Sequence, residues 1–216
     1  MDPLHASDFD DYDTFASQCR KLITFDEYHP PENAMPQKCS KPASGIHRFL
    51  YRCPDTGVDG AVFSPDGEHV FSRTSDFRYR MNTASRLIAP DDSIVSIIDL
   101  HEEINAMPMV FEDSREKVLL QKNGSFVNTL DKEQRLQAIG RGLAQLTPGG
   151  LKIAVGSRKF DLTLDQIQYT SVEQNHKLTV TGADQSIQFN LEGQSALQWQ
   201  LYINRLKAGE NPVNSL

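Results

Sequence analysis

A chain of 216 residues has room for one large domain or two small ones. Hydrophobic residues make up 38% of the sequence and charged residues 24%, which excludes a wholly disordered chain. The net charge is −7, and the acidic excess lies in the first 128 residues, because residues 129–216 carry a net charge of +1. An acidic chain repels nucleic acid unless its basic residues are clustered, so we expect no nucleic-acid partner.

The amino terminus and the cysteines predict a cytoplasmic protein without a transmembrane segment. The first residues, MDPLHASDFDDYD, lack the basic start and the apolar core of a secretory signal. No apolar run approaches the ~18 residues that a membrane-spanning helix needs. The three cysteines, Cys19, Cys39 and Cys53, are odd in number and widely spaced, which does not suit a disulfide framework.

The first 45 residues predict a helix on a proline-rich linker. Between Ser7 and Phe25, apolar side chains recur every three or four residues, as they do on one face of a helix. The side chains of this face that we expect to contact a partner are Phe9, Tyr12, Phe15 and Leu22. Residues 29–45 contain four prolines and many small polar residues, which predicts a linker or an arm that lies over the surface of the protein.

Residues 46–130 predict a β-rich region, because apolar and polar residues alternate there. The predicted strands are 60–64, 69–73, 76–82 and 94–100. The last of these is dense in β-branched residues and is predicted to be buried. Residues 117–130 predict a hairpin around Asn123-Gly124, which is the residue pair preferred in type I′ turns.

One predicted strand also combines basic and aromatic side chains. In strand 76–82, Arg78 and Arg80 stand beside Phe77 and Tyr79, and Arg86 follows. Aromatic stacking combined with positive charge is how sheet surfaces hold single-stranded nucleic acid. The acidic surroundings count against that function here.

The remaining sequence predicts a helix, a run of strands and a second helix. Residues 131–146 predict the first helix, with Leu136, Ile139 and Leu143 on its apolar face. The strands predicted after it are 150–155, 159–164, 176–182 and 186–192, with 166–172 as a further candidate. The closing helix is predicted over 195–207, with Ser195 as its N-cap and an apolar face of Trp199, Tyr202, Ile203 and Leu206.

The last third of the chain resembles the pleckstrin-homology superfold and its bacterial and GRAM-like relatives. The segments that carry the resemblance are LTPGGLKI, FDLTLDQIQYTSVEQNHKLTVT, SIQFNLE and ALQWQLYINRL. The resemblance covers 146–208 and implies a bent sheet that is plugged at one end by the closing helix. Because this segment alone has too few strands, either strands from 60–130 complete the barrel or two strand-then-helix units lie in tandem.

We therefore predict an α+β fold, built as a mostly antiparallel sheet or partly open barrel with a C-terminal amphipathic closing helix. The N-terminal helix on its proline-rich linker is an appendage to this body. The predicted regions are 1–45, 46–130 and 131–216, of which the last two can form a single domain.

No motif of a catalytic site, a metal site or a cofactor site is present, so we predict none of these. The favoured hypothesis is a non-catalytic interaction or adaptor protein that binds a protein or a lipid headgroup. Lys152, Arg158 and Lys159 are the candidate anion-binding residues, because they are the clustered bases of one predicted hairpin. One alternative is a bacterial immunity or antitoxin protein, which would use its negative charge to bind a basic toxin. The other is a small hydrolase whose active site leaves no motif in the sequence. A deep pocket of converging titratable groups would favour the enzyme, and a groove beside the closing helix would favour binding.

Overall fold

The structure is a computed structural model that describes Asp11 and residues 14–16, 39–130, 135–183 and 185–214. Its strands are β1 (Val62–Phe63), β2 (His69–Ser72), β3 (Arg78–Met81), β4 (Leu87–Ile88), β5 (Ile94–Val95), β6 (Leu120–Leu130), β7 (Leu136–Thr147), β8 (Gly150–Val155), β9 (Arg158–Thr163), β10 (Tyr169–Glu173), β11 (Lys177–Thr181) and β12 (Ser186–Asn190). Its helices are α1 (Ile97–Ala106) and α2 (Ala196–Lys207), with single 3-10 turns at Ile46–Arg48 and Leu164–Gln166.

The strands form two antiparallel sheets, and this confirms the predicted α+β fold class. The first sheet is a five-stranded meander in the order β1-β2-β3-β4-β5, and α1 follows it. The second sheet has seven strands in the order β10-β11-β12-β6-β7-β8-β9. Its first two strands in the chain, β6 and β7, lie in the middle of the sheet, which curls into a half-barrel closed by α2. The upstream strand β6 completes the second sheet, whereas β1 to β5 form a sheet of their own that is followed by α1, so the structure combines features of both predicted arrangements.

The prediction of a buried strand over 94–100 is wrong, because its two extended residues are not buried and the residues after Ser96 are helical. Only Ile94 and Val95 are extended, and α1 begins at once after them. Ser96 caps α1, because its side chain accepts hydrogen bonds from the backbone amides of Ile98 and Asp99. A run of β-branched residues therefore folds as a helix, because burial of Leu100 and Ile104 at helical spacing outweighs local preference.

The prediction of a hairpin over 117–130 is also wrong, because β6 continues through these residues without a turn. The pairing of β6 with β7 shifts register between Lys122 and Ser125, so Asn123 and Gly124 form a bulge instead of a turn. Gly124 has a φ of 71°, a value that glycine adopts without strain. The bulge bends β6, and a bent central strand is what a curled sheet needs.

The helix predicted over 131–146 is strand β7 from residue 136 onward. Apolar residues at the spacing of Leu136, Ile139 and Leu143 suit either structure, and sheet pairing on both edges decides the outcome. The glycines that weaken a helix have a role in the strand. A Cβ at Gly142 would lie 2.0 Å from the Ala154 carbonyl oxygen, so only glycine lets β7 approach β8 this closely.

The closing helix is confirmed as α2. Ser195 accepts a hydrogen bond from the Gln198 backbone amide at its start. The predicted apolar face is fully within the core, which buries Trp199, Tyr202, Ile203 and Leu206. The indole of Trp199 meets the ring of Phe189 edge-on, with 5.5 Å between ring centroids. The helix therefore covers the open side of the half-barrel with its largest side chains.

Each sheet has its own apolar core, and the two cores meet at α2. The core of the first sheet includes Leu50, Val70 and Ile104, and that of the second sheet surrounds Trp199. Leu201 of α2 packs against both cores. The boundaries predicted for separate regions stay a prediction, since the described residues form two cores in contact.

Most of the N-terminal predictions fall outside the described residues. Of the predicted helix between Ser7 and Phe25, the structure describes Asp11 and residues 14–16, and those three residues are helical. The Asp11 carboxylate accepts hydrogen bonds from the backbone amide and the hydroxyl of Thr14, each at 2.7 Å. Near the end of the predicted linker or arm, Ala43 is fully buried and its amide donates to the Gly67 carbonyl, so the chain is docked on the first sheet's surroundings at this point.

Candidate functional site

A cleft of about 1080 Å³ lies beside α2, where the two sheets meet. One wall comes from the segment before β1 and from β1 itself, and the other comes from the segment that leads from α1 to β6. The start of α2 contributes Ser195 and Gln198. Most of the lining is apolar, and it includes Val58, Phe63, Met107, Val110, Phe111 and Leu120. An apolar concave surface of this size is typical of a binding site.

A buried arginine organises the floor of the cleft. Arg52 is 1% exposed, and its Nε donates to Oδ1 of Asp59 at 2.6 Å. Its Nη1 donates to the Pro108 carbonyl at 2.8 Å, and its Nη2 donates to the Tyr202 hydroxyl at 2.6 Å and to Oδ2 of Asp59 at 3.3 Å. Gln198 Nε2 donates to the same Asp59 oxygen at 2.8 Å. The floor thus joins the first sheet, the connecting segment and α2 through one guanidinium.

The titratable groups at the floor of the cleft form hydrogen bonds and electrostatic contacts with one another. Burial and the nearby carboxylate of Asp59 raise the pKa of Tyr202, and burial together with the Tyr202 phenol raises the pKa of Tyr51. Hydrogen bonding and attraction to Asp59 outweigh desolvation and raise the pKa of Arg52. Each group therefore keeps its ordinary charge near neutral pH, and the Arg52–Asp59 pair has no net charge to offer a ligand.

Two charged side chains of the cleft have no ion-pair partner among the described residues. Arg73 lies over the ring of Phe63, with 4.7 Å to the ring centroid, and its Nη1 donates to the Gly60 carbonyl at 2.9 Å. Glu112, on the other wall, accepts one hydrogen bond from the Gln121 amide at 2.9 Å. Burial and then the charge of Asp59 raise the pKa of Glu112.

The wall opposite β1 includes an extended segment near the end of the chain. Val110 and Val213 form a parallel β-bridge. The Val213 amide donates to the Met109 carbonyl at 2.8 Å, and the Phe111 amide donates to the Val213 carbonyl at 3.3 Å. The cleft wall therefore already holds one extended stretch of backbone through main-chain hydrogen bonds.

The predicted anion-binding residues lie away from this cleft and do not form one cluster. All three are exposed on the β8–β9 hairpin. Lys152 stands opposite Asp161, Lys159 opposite Ala154 and Arg158 opposite Val155. Because side chains alternate along a strand, Arg158 and Lys159 point to different faces of the sheet. Lys152 and Lys159 share one face, where Asp161 offsets part of their charge.

The predicted partner-binding residues are described only in part. Phe9, Tyr12 and Leu22 lie outside the described residues. Phe15 is half-buried within the helical residues 14–16. Their role as a contact surface stays a prediction.

The basic and aromatic side chains of the first sheet combine differently from the prediction. Phe77 is buried in the core, where its ring packs against Tyr79. Arg78 lies instead over the ring of Phe71, at 5.7 Å from the ring centroid, and Phe71 is 5.9 Å from Phe63. The aromatic partners thus come from β1 and β2.

The described part of the chain holds no group of three or more His, Cys, Asp or Glu side chains that could bind a metal ion. Cys53 is fully buried, and its sulfur lies 3.4 Å from the Ser75 hydroxyl. Among the same described residues, no helix has the length and apolar character to cross a membrane.

No family model matches this chain, and no curated protein matches its sequence. Among solved structures, the chain is similar to the N-terminal pleckstrin-homology domain of human ARAP2, at 16% sequence identity. The match covers 49% of this chain and 92% of that domain, with a TM-score of 0.30. A likeness this weak carries no argument about what the chain binds.

Proposed function

We propose that this protein is a non-catalytic interaction module that holds a segment of a partner protein in the cleft beside α2. The pleckstrin-homology-like half-barrel would act as the scaffold, and the first sheet would complete the binding surface. The observation that carries the proposal is the apolar cleft whose buried ion pair, Arg52 with Asp59, is satisfied internally. A groove beside the closing helix is the feature that favours binding over catalysis.

The electrostatics of the cleft support binding in preference to hydrolysis. A catalytic acid or base must be able to give a proton to the substrate or take one from it. Asp59 accepts three hydrogen bonds from Arg52 and Gln198, so its two oxygens are already engaged within the protein. We therefore assign these groups a structural role within the binding surface.

A protein partner is favoured over a lipid headgroup. A headgroup site needs basic side chains that converge on one phosphate. Lys152 and Lys159 share a face with Asp161, whereas Arg158 points to the opposite face. Co-sedimentation with vesicles that contain phosphoinositide, compared with the Lys159→Glu variant, tests the lipid alternative, and binding that this variant abolishes would favour it.

The decisive experiment obstructs the cleft. Val58 lines the cleft and is 44% exposed, so Val58→Arg should place a charge in the cleft without disturbing the core. We expect partner proteins retained from lysate by the full chain to be lost with this variant. The matched control is Ile94→Arg, since Ile94 is 60% exposed and is not among the residues that line the cleft. Equal retention by both variants would refute the proposal.

The N-terminal side chains supply a second proposed contact. Phe9, Tyr12, Phe15 and Leu22 would offer an apolar helical face to the same partner. Deletion of residues 1–38 spares the buried Ala43 and should weaken partner retention without abolishing it. Unchanged retention would show that these side chains do not contribute.

A further inference from the structure

We propose that the cleft selects an extended peptide segment in which apolar residues separate one acidic side chain from one basic side chain. The acidic side chain would meet Arg73, and the basic side chain would meet Glu112. This inference rests on the proposed function, since it names the chemistry of the partner segment that the cleft holds.

The charges of the cleft argue for a ligand of mixed sign. Arg73 and Glu112 line the cleft, and neither forms an ion pair among the described residues. They are farther from each other than an ion-pair contact, so they do not neutralise one another. Arg73 stands near a second base, since burial and then the charges of Arg48 and Arg73 lower the pKa of His47. Near Glu112 the field is negative, because Asp59 and Asp113 act on its carboxylate.

Apolar surface separates these two charges. Val58 and Phe63 on one wall, and Val110 and Phe111 on the other, line the same cleft. A ligand that carried charge along its whole length would leave this surface exposed to water or would bury charge against it. A ligand with apolar residues between its charges satisfies both parts of the cleft.

The size of the cleft argues for an extended segment. A helix with its side chains is about 10–12 Å across, so a cleft of about 1080 Å³ would hold roughly two turns of helix. Isolated helices this short are marginal in water. The bridge between Val110 and Val213 shows that this wall accepts extended backbone through main-chain hydrogen bonds.

An extended segment also fixes how the two charges must be spaced. Side chains that point to the same side of a strand are two or four residues apart, which is roughly 7 or 13 Å. Arg73 and Glu112 lie on different walls of the cleft, so the two charges of the peptide must point to opposite sides of the extended segment. We therefore expect an odd spacing, such as three residues, between the charges of the peptide, with two and four excluded.

The test uses the full chain and a defined set of fluorescein-labelled nonapeptides of alternating valine and threonine. One Glu and one Lys are placed two, three or four positions apart, in both orders, and neutral peptides serve as reference. Binding is measured by fluorescence anisotropy. We expect the spacing of three to bind best, and loss of either charge to weaken binding about two- to fivefold, as is typical of exposed ion pairs.

Charge-reversal variants of the protein test which of its two residues contacts which charged side chain of the peptide. Glu112→Lys should prefer the peptide whose Lys is replaced by Glu, and Arg73→Glu should prefer the peptide whose Glu is replaced by Lys. Lys152→Glu and Asp165→Lys are the matched controls, since both residues are exposed and neither lines the cleft. The controls should rank the peptides as the native protein does.

The outcomes separate this inference from the proposed function. An unchanged ranking in Glu112→Lys and Arg73→Glu would overturn the inference, and so would a preference for spacing two or four, which places both charges on one side of an extended segment. If no nonapeptide binds while Val58→Arg still releases the partner, the inference fails and the proposed function stands. If Val58→Arg releases nothing, the proposed function fails first.

Discussion

Arg52 connects three parts of the chain through a side chain that is 2% exposed. Replacing it by methionine would leave the Pro108 carbonyl and the Tyr202 hydroxyl without the guanidinium donor, and would leave Asp59 with only the hydrogen bond from Gln198. Breaking a fully buried pair costs about 3–5 kcal/mol, and we expect about 2–3 kcal/mol here because the Asp59 side chain is 36% exposed. Urea unfolding measures this loss. Lys152→Met, at an exposed position, should change the stability by less than about 0.5 kcal/mol, and equal losses would contradict the prediction.

His101 makes the stability depend on pH. Its ring stacks on Phe49 with 4.1 Å between centroids, and its Nδ1 donates to the Phe49 carbonyl at 2.9 Å. Burial lowers the pKa of His101 below its ordinary value of 6.5, although the Phe49 carbonyl and Glu102 act in the opposite direction. As the pH falls below about 6.5, His101 therefore binds a proton more readily in the unfolded chain than in the folded protein. The free energy of unfolding decreases over this pH range as a result. The stability of His101→Phe, measured by urea unfolding at pH 7.5 and 5.5, should change less than that of the native protein.

At the scale of the element, the two helices have serine caps that differ in what else they contact. Ser96 caps α1 by accepting from two backbone amides, whereas Ser195 caps α2 and also donates to the Arg48 carbonyl in the 3-10 turn before β1. Each alanine substitution removes a cap, at a cost of about 0.5–2 kcal/mol. We expect Ser195→Ala to cost more than Ser96→Ala, since it also leaves a carbonyl unsatisfied. Thermal unfolding of both variants makes the comparison, and equal shifts would show that the Arg48 contact adds nothing.

The contact between β7 and β8 depends on one glycine. A Cβ at Gly142 would lie 2.0 Å from the Ala154 carbonyl oxygen and 2.7 Å from a methyl group of Val155. Gly142→Ala should therefore push the strands apart and cost about 1–3 kcal/mol or more in the free energy of unfolding. Gly149→Ala is the matched control, because its Cβ meets only the Thr147 hydroxyl, at 3.8 Å. A loss in the control as large as in Gly142→Ala would point to chain stiffness instead of a clash.

An element can be predicted from the sequence when its signals lie within one short segment, and it cannot when its identity depends on distant strands. The closing helix is predictable because the spacing of Trp199, Tyr202 and Ile203 and the cap at Ser195 all lie within one short segment. Strand β7 is not predictable in this way, because its identity comes from pairing with β6 and β8 on both edges. The glycine at 142, which argues against a helix, was the local signal that could have found it.

The cleft follows the same rule more strongly. Arg52 and Tyr202, which meet on its floor, are 150 residues apart in the chain. No periodicity or spacing relates such positions, and a buried arginine looks in sequence like any other basic residue. The candidate site was therefore predictable only as a groove beside the closing helix, without the residues that build it.

At the scale of the whole molecule, α2 holds the first half of the fold as well as the second. Nη1 of Arg205 donates to the carbonyls of Asn105 and Met107 at the end of α1, at 3.2 and 2.7 Å. A cation is favourable at the C-terminal end of a helix, so this contact stabilises α1 from outside its own sheet. Arg205→Leu should therefore raise the hydrogen-exchange rate of the α1 amides about tenfold while leaving β8 unchanged.

Lys207→Leu is the control for this coupling. Lys207 also lies on α2, but its Nζ donates to the Ile167 carbonyl, which belongs to the second sheet's own surroundings. We expect its exchange pattern in α1 to match that of the native protein. Faster exchange throughout the chain in Arg205→Leu would instead indicate that the two cores open only together.

Trp199 gives the protein a built-in optical reporter. It is the single tryptophan of the sequence, it is fully buried, and its neighbour Gln198 lines the cleft. Fluorescence excited at the indole therefore comes from one position, and it shifts to longer wavelength when water reaches the ring. This fluorescence reports the unfolding of the half-barrel's core. A change in it on addition of peptide would show that binding in the cleft alters the surroundings of Trp199 on α2. Both measurements need no attached dye.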